Sequence, residues 1–175
     1  MTYHLAQANI GRFRAPIDNP IMEGFRSQLE PINALADATP GFVWRLQTED
    51  GDATAIRPYP DDDRMAINMS VWQSLESLQA FVYRGAHVGT MRGRREWFEH
   101  LEGPILVLWW IPAGHIPTVT EARERLAHLA AHGPTPHAFT FRTPFAPPSA
   151  DRDAVDGLDA ELCEWASPDS PPQAG

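Results

Sequence analysis

The sequence predicts an α+β fold of the ferredoxin-like type, built on an antiparallel sheet. Stretches with the two-residue period of strands alternate with stretches of helical period, one stretch is apolar nearly throughout, and glycine or proline lies at most boundaries. The predicted order is β-α-β-β-α-α-β-α-β, a βαββαβ unit with an added helix and a closing strand. Helices are expected on one face of the sheet, so the other face needs a partner. Two sheets packed face to face around a dyad would supply it, which predicts a homodimer.

Five strands are expected from these patterns. In the third, Met65, Ile67, Met69 and Val71 alternate with other residues and share one face. The fourth is apolar nearly throughout, which is typical of a central strand. The predicted strands are residues 3–10, 42–46, 64–72, 105–111 and 138–142.

Four helices are expected between these strands. Asn19 followed by Pro20 is typical of a helix start, and Pro40-Gly41 of a helix end. Pro31 is expected to kink or split the first helix, because its ring meets the carbonyl of the preceding turn. The other three predicted helices are residues 74–83, about 87–100, and 120–132.

The chain of 175 residues is most simply one ferredoxin-like domain, residues 1–142, followed by a C-terminal tail, residues 143–175. The tail is rich in proline and acidic residues, with Arg152 as its single basic residue, and it carries most of the net charge of −9. Such a composition predicts partial disorder.

Composition excludes several classes of function. The net charge of −9 disfavours a nucleic-acid partner, because phosphate binding depends on basic surface. The sequence has no lysine, which excludes a Schiff-base or P-loop lysine, and Cys163 is the single cysteine, which excludes an internal disulfide. No apolar run approaches the roughly 20 residues of a membrane helix, and no secretory leader is recognisable, so no membrane partner and a cytoplasmic location are expected.

Residues 70–118 contain four of the six tryptophans, together with three of the seven histidines and four of the fourteen arginines. On the predicted helix, His87, Met91 and Arg95 share a face, Arg94 is adjacent, and Trp97 lies near the end. Arginines there could bind an anionic or phenolic substrate, and His87 could exchange a proton near neutral pH. The alternative is that the arginines are solvated or paired with nearby glutamates.

A second candidate group follows at the end of the fourth predicted strand. Trp109 and Trp110 point to opposite faces of a strand, so one of them at most can join a given pocket. His115 follows Gly114 in a turn, where loops often present functional groups. The alternative is a turn histidine bonded to the backbone. Trp44, Met91, Trp97 and Trp109 are the predicted pocket walls.

No metal site is predicted. His128 and His132 have the i, i+4 spacing of zinc ligands, but the sequence between them, HLAAH, lacks the glutamate of the zinc-protease motif. A haem group would need a buried axial histidine, for which His87 is the best candidate, and no other cofactor is indicated.

Several longer motifs resemble an uncharacterised bacterial family of unknown function. They are residues 72–81, His87, residues 92–98 (RGRREWF), residues 108–117 (LWWIPAGHIP), residues 121–122, residues 125–126 and residues 133–141. That family is grouped with the dimeric α/β-barrel superfamily, whose best-known members are antibiotic-biosynthesis monooxygenases and related haem-degrading proteins. The resemblance covers roughly residues 3–142 and implies a ferredoxin-like protomer and a homodimer.

Two functions are compatible with these patterns. The first is a monooxygenase-like enzyme, cofactor-independent or haem-assisted, that acts on a small aromatic or polyketide-like molecule. Its candidate catalytic residues are His87, Arg94, Arg95 and His115. The second is a non-catalytic homodimer that binds a small ligand or serves a structural role, with tryptophans filling its interface.

Overall fold

The computed structural model describes residues 2–82 and 95–148 and contains a five-stranded antiparallel sheet. The strands are β1 (Tyr3–Phe13), β2 (Phe42–Arg45), β3 (Met65–Trp72), β4 (Phe98–Glu99) and β5 (Leu106–Pro112). The order is β2-β3-β1, and the far edge of β1 is shared by β5 and β4. The predicted α+β, ferredoxin-like fold is confirmed.

Strand β1 lies at the centre of the sheet because both of its edges are paired. Along β3 its register places Gln7 opposite Ser70 and Asn9 opposite Asn68. On the other edge, β5 pairs with the first seven residues of β1, and β4 pairs with Arg12 and Phe13.

Three helices of eight residues or more lie in the described ranges: α1 (Glu23–Asp37), α2 (Leu75–Val82) and α3 (Val119–His132). A 3-10 turn, Pro20–Met22, precedes α1, and the Asn19 side chain accepts a hydrogen bond from Ile21 N at 3.1 Å. Helix α3 ends before Gly133, whose φ of 70° favours glycine. In the part of the chain that the structure describes, no helix has the length and apolar content needed to span a membrane.

Pro31 lies inside α1, which continues without a break, so the predicted split of this helix is wrong. The side chain of Pro31 is exposed, and the proline removes one backbone donor from a helix of 15 residues. Ile32 and Leu35 pack on the sheet beside it, and this packing holds the helix together.

Two predicted elements differ in the structure. The helix predicted for residues 87–100 falls mostly outside the described residues, and its end is wrong, since Phe98–Glu99 forms β4. The strand predicted for residues 138–142 is also wrong, since this stretch forms isolated bridges. Phe139 exchanges two backbone hydrogen bonds with Leu108, of 2.8 and 2.9 Å, but tight turns on either side prevent a longer ladder.

Helices cover both faces of the sheet, so the expectation of one open face is wrong. On one face, Ala8, Met69 and Val107 pack beneath α3 and have no exposed area. On the other face, Leu5 and Trp72 pack against α1 and α2. We call these the α3 face and the α1–α2 face. The first is also covered by the loop between β2 and β3, through Leu46, Ile56 and Tyr59.

Candidate functional site

A chain of hydrogen-bonded polar side chains crosses the α1–α2 face. Trp72 Nε1 donates to Ser70 Oγ, Ser70 Oγ donates to Gln7 Oε1, and Gln7 Nε2 donates to Asn9 Oδ1, each at 2.9 Å. Asn68 lies opposite Asn9 in the register of β1 and β3. We call these five residues the polar row.

The alternation of strand side chains explains why these residues meet. Odd-numbered residues of β1 and even-numbered residues of β3 point to the same face, and the antiparallel register aligns them in pairs. The row starts at the fully buried Trp72 and continues through Gln7 and Ser70, each only 7% exposed. It ends at Asn9, which is half-buried, and Asn68, which is exposed. The row therefore connects the core to the surface.

The outer end of the row has free hydrogen-bonding capacity. The side-chain oxygen of Asn9 already accepts a hydrogen bond from Gln7. Within the described residues, no hydrogen bond involves Asn9 Nδ2 or the side chain of Asn68. Two carboxamides beside each other on a rigid sheet can donate N–H groups to the oxygen of a ligand. Neither residue titrates, so this capacity does not depend on pH.

Aromatic side chains lie at both ends of the polar row. Trp72 stacks on Phe81 with ring centres 5.2 Å apart. Beyond Asn9 and Asn68 the next pair on the two strands is Gly11 and Ala66, and the Phe98 ring lies directly over Gly11. The remaining aromatic residues of this end are Phe13, Phe25 and Trp97, which pack with Phe98. An aromatic ligand bound at the outer end of the row would therefore contact apolar rings.

The structure does not bring the predicted pocket walls together. Trp97 is 6% exposed and packs with Phe13 and Met22 on the α1–α2 side. Trp109 is fully buried and Trp44 partly buried, both on the α3 face. Since the sheet separates these two groups, the three tryptophans cannot line one pocket.

The predicted catalytic residues are only partly described. His87, Met91 and Arg94 lie outside the described residues. Arg95 is exposed, and its backbone oxygen accepts a hydrogen bond from Arg14 Nε at 2.9 Å.

Trp109 and His115 are joined by a residue that the sequence analysis did not identify. Trp109 Nε1 donates to Glu121 Oε1, and His115 Nε2 lies 2.9 Å from Glu121 Oε2. Burial alone would raise the pKa of Glu121, but hydrogen bonds from His115 and Trp109 outweigh it and hold the pKa below its usual range. The signal in the sequence is the capping-box spacing of Thr118 and Glu121, whose backbone N–H bonds to Thr118 Oγ1 at 3.1 Å.

The polar row was also missed by the sequence analysis. Its residues occupy alternate positions of β1 and β3, the same alternation that identified the apolar face of β3. The sequence therefore contained a sign of the polar row, because polar residues occupy the positions of each strand that face away from α3. Only the pairing of the two strands shows that they form one row.

Three imidazole rings lie close together at the end of α3. The ring centre of His128 is 4.6 Å from that of His132 and 4.7 Å from that of His137. Arg125 Nη1 lies 2.6 Å from His137 Nδ1, and His128 Nε2 lies 2.9 Å from Thr135 Oγ1, so hydrogen bonds account for the arrangement. Across residues 2–82 and 95–148, no group of three histidine, cysteine or acidic residues is placed to hold a metal ion.

A family model with the description "Domain of unknown function (DUF3291)" matches residues 4–155. No curated protein matches the chain. Among solved structures, the chain is similar to SnoaB, a cofactor-independent oxygenase from Streptomyces nogalater, at 15% identity and a TM-score of 0.42, over 65% of this chain and 95% of SnoaB. It is also similar to PA3566 from Pseudomonas aeruginosa, at 13% identity and a TM-score of 0.41, over 63% and 93% of the two chains. For Rv0793 from Mycobacterium tuberculosis the identity is 9% and the TM-score 0.42, over 66% and 99%.

Proposed function

This chain belongs to the DUF3291 family, and we propose that it is a monooxygenase-like enzyme acting on a small aromatic or polyketide-like molecule. The observation that supports the proposal is the polar row, because the amide N–H groups of Asn9 and Asn68 have no acceptor among the described residues and lie beside aromatic rings. A phenolic or enolic substrate has matching parts, namely a flat apolar body and an oxygen that accepts hydrogen bonds.

In the proposed reaction, Asn9 and Asn68 donate N–H groups to the substrate oxygen. These donors stabilise negative charge on that oxygen, which favours the phenolate or enolate form that reacts with dioxygen. Phe98 packs against the substrate ring. If dioxygen is the only oxidant, a methylene of the substrate becomes a carbonyl. One oxygen atom enters the product, the second leaves as water with the two methylene hydrogens, and the substrate supplies all four electrons.

The roles predicted for His87, Arg94, Arg95 and His115 remain proposals. A haem-assisted reaction would depend on His87 as the axial ligand, and a titration with haemin tests this separately. A saturable Soret band that disappears in His87→Ala would support haem binding, and a featureless spectrum would contradict it.

Oxygen uptake with dithranol, an anthrone with an activated methylene between phenolic rings, tests the proposed reaction. We expect Asn68→Ala to lower the enzymatic rate about a hundredfold or more, as loss of one oxyanion donor does elsewhere. Gln47→Ala is the matched control, because it removes an exposed carboxamide in the loop that follows β2. Equal rates in wild type and Asn68→Ala would rule out the polar row as the site.

The second candidate function is a non-catalytic, ligand-binding or structural homodimer. Packing within one protomer accounts for Trp72, Trp97 and Trp109, which are 0%, 6% and 0% exposed, so these three tryptophans need no catalytic role and do not fill a dimer interface. A homodimer stays a prediction. Tryptophan fluorescence that responds to dithranol without oxygen uptake, in a protein of dimeric mass, would support this alternative.

A further inference from the structure

A cavity of about 520 Å³ opens on the α3 face, on the opposite side of the sheet from the polar row. It lies between α3, the turn at residues 102–104 and Tyr59. Its apolar lining comes from Ile10 of β1, Leu126 of α3 and Pro104. The volume is within the range of about 300–1,000 Å³ that is typical of small-molecule sites.

Three charged side chains, those of Arg123, Glu102 and Glu124, line the same cavity. The guanidinium carbon of Arg123 lies 4.9 Å from the centre of the Tyr59 ring, and its Nε is buried with no hydrogen-bond partner in the described chain. Glu102 and Glu124 also line the cavity, and among residues 2–82 and 95–148 neither forms an ion pair. Both glutamates are exposed. The cavity therefore has apolar lining residues, one positively charged side chain and two negatively charged side chains.

These side chains favour a ligand that carries both a positive and a negative charge. Within the described residues the Arg123 guanidinium has no carboxylate partner, so a carboxylate of the ligand beside it would form charge-assisted hydrogen bonds. A ligand with a carboxylate alone would meet two glutamates, whereas a ligand with an amine alone would leave the Arg123 guanidinium without an anionic partner. A molecule with an ammonium group and a carboxylate at one end and an apolar body satisfies both requirements.

We propose that this cavity is a second small-molecule site that binds a free apolar or aromatic amino acid. Its carboxylate accepts from Arg123, its ammonium group lies between Glu102 and Glu124, and its side chain packs on Ile10 and Leu126. The site is independent of the proposed reaction at the polar row, since the sheet lies between them.

Isothermal titration calorimetry with three matched probes tests the ligand class. L-phenylalanine carries both charges, 2-phenylethylamine lacks the carboxylate, and 3-phenylpropanoate lacks the amine. We expect saturable binding of phenylalanine and at least tenfold weaker binding of the other two. If either analogue bound as tightly as phenylalanine, the assignment of a ligand with both charges would be overturned. If none of the three probes bound, the proposed site itself would be overturned.

A blocking variant tests the location. Ala130 lines the cavity and is exposed, so Ala130→Leu extends a side chain into the cavity without entering the core. Ala131→Leu adds the same side chain to the next position of α3, which does not line the cavity. We expect phenylalanine binding to fall at least tenfold in the first variant and to stay unchanged in the second. Ala127→Leu is a second blocking variant, and unchanged binding in both blocking variants would overturn the proposal.

Discussion

Gly11 is a position where the fold accepts no side chain. A Cβ atom added there would lie 2.5 Å from Phe98 Cδ1, closer than side chains approach each other. We expect Gly11→Ala to lower the free energy of unfolding by about 1–3 kcal/mol, because Phe98 must leave its place over β1. Urea unfolding followed by fluorescence measures this.

Gly24→Ala is the matched control. Its added Cβ would lie 3.0 Å from Trp97 Cζ2, and alanine favours the helix by about 1 kcal/mol, so the net change should be small. The double variant Gly11→Ala with Phe98→Leu should recover part of the loss. Equal destabilisation by the two glycine substitutions would contradict this explanation.

Glu121 should make stability depend on pH in the acidic range. Its pKa in the folded chain lies below the usual value of 4.5. The folded state therefore binds fewer protons than the unfolded state between these two values, so the stabilisation is present above about pH 4.5 and is lost as the pH falls. We expect Glu121→Gln to cost about 1–2 kcal/mol at pH 7, since hydrogen bonds to a charged group are lost.

Unfolding of wild type and Glu121→Gln at a series of pH values checks this prediction. The difference between their urea midpoints should shrink as the pH falls below about 4.5. Glu124→Gln is the control on the same helix, because Glu124 is exposed. A difference that persists unchanged at pH 3 would show that the charge of Glu121 is not responsible.

At the scale of single residues, the sequence analysis placed candidate residues on their elements but did not identify their contacts, and their predicted roles stay predictions. Trp109 and His115 were identified from their place at a strand end, and the structure joins them. Glu121, which makes the connection, lies on the next element, and its contact depends on the direction in which α3 leaves the turn. Gln7 and Ser70 are 63 residues apart, so the hydrogen bond between them depends on strand pairing that local spacing does not specify.

Among the elements, those with a clear period were predicted within about three residues. Strand β1 extends to Phe13 rather than residue 10, because β4 pairs with its last residues. Residues 138–142 have the alternation of a strand, yet turns limit them to single bridges. A pattern therefore predicts which conformation a segment favours, whereas a partner of sufficient length decides whether a strand forms.

The start of α3 depends on one side chain. Thr118 Oγ1 accepts from Glu121 N, which supplies an acceptor to a free N–H of the first turn. We expect Thr118→Ala to lower the free energy of unfolding by about 1 kcal/mol. Thr120→Ala is the control, because Thr120 follows the cap and is exposed. Urea unfolding of both variants measures the difference, and equal stability would contradict the role of the cap.

At the scale of the whole molecule, the sequence could not specify which face α3 covers. The right-handed crossover rule applies to a helix between two parallel strands, and within the described residues no strand follows α3. The expectation of an open face followed from the assumption that all helices lie on one face of the sheet. The structure places α3 on the face opposite α1 and α2, so one protomer buries both sides of its sheet.

The two helix-covered faces should therefore contribute comparably to stability. Leu126 of α3 is 4% exposed on one face, and Leu78 of α2 is 2% exposed on the other. We expect Leu126→Ala and Leu78→Ala each to cost about 2–5 kcal/mol in the free energy of unfolding, because each leaves a cavity in a packed core. Urea unfolding measures both, with Ile116→Ala as the control at a side chain that is 49% exposed. A loss below about 1 kcal/mol for Leu126→Ala, beside a full loss for Leu78→Ala, would mean that α3 is not a layer of the core.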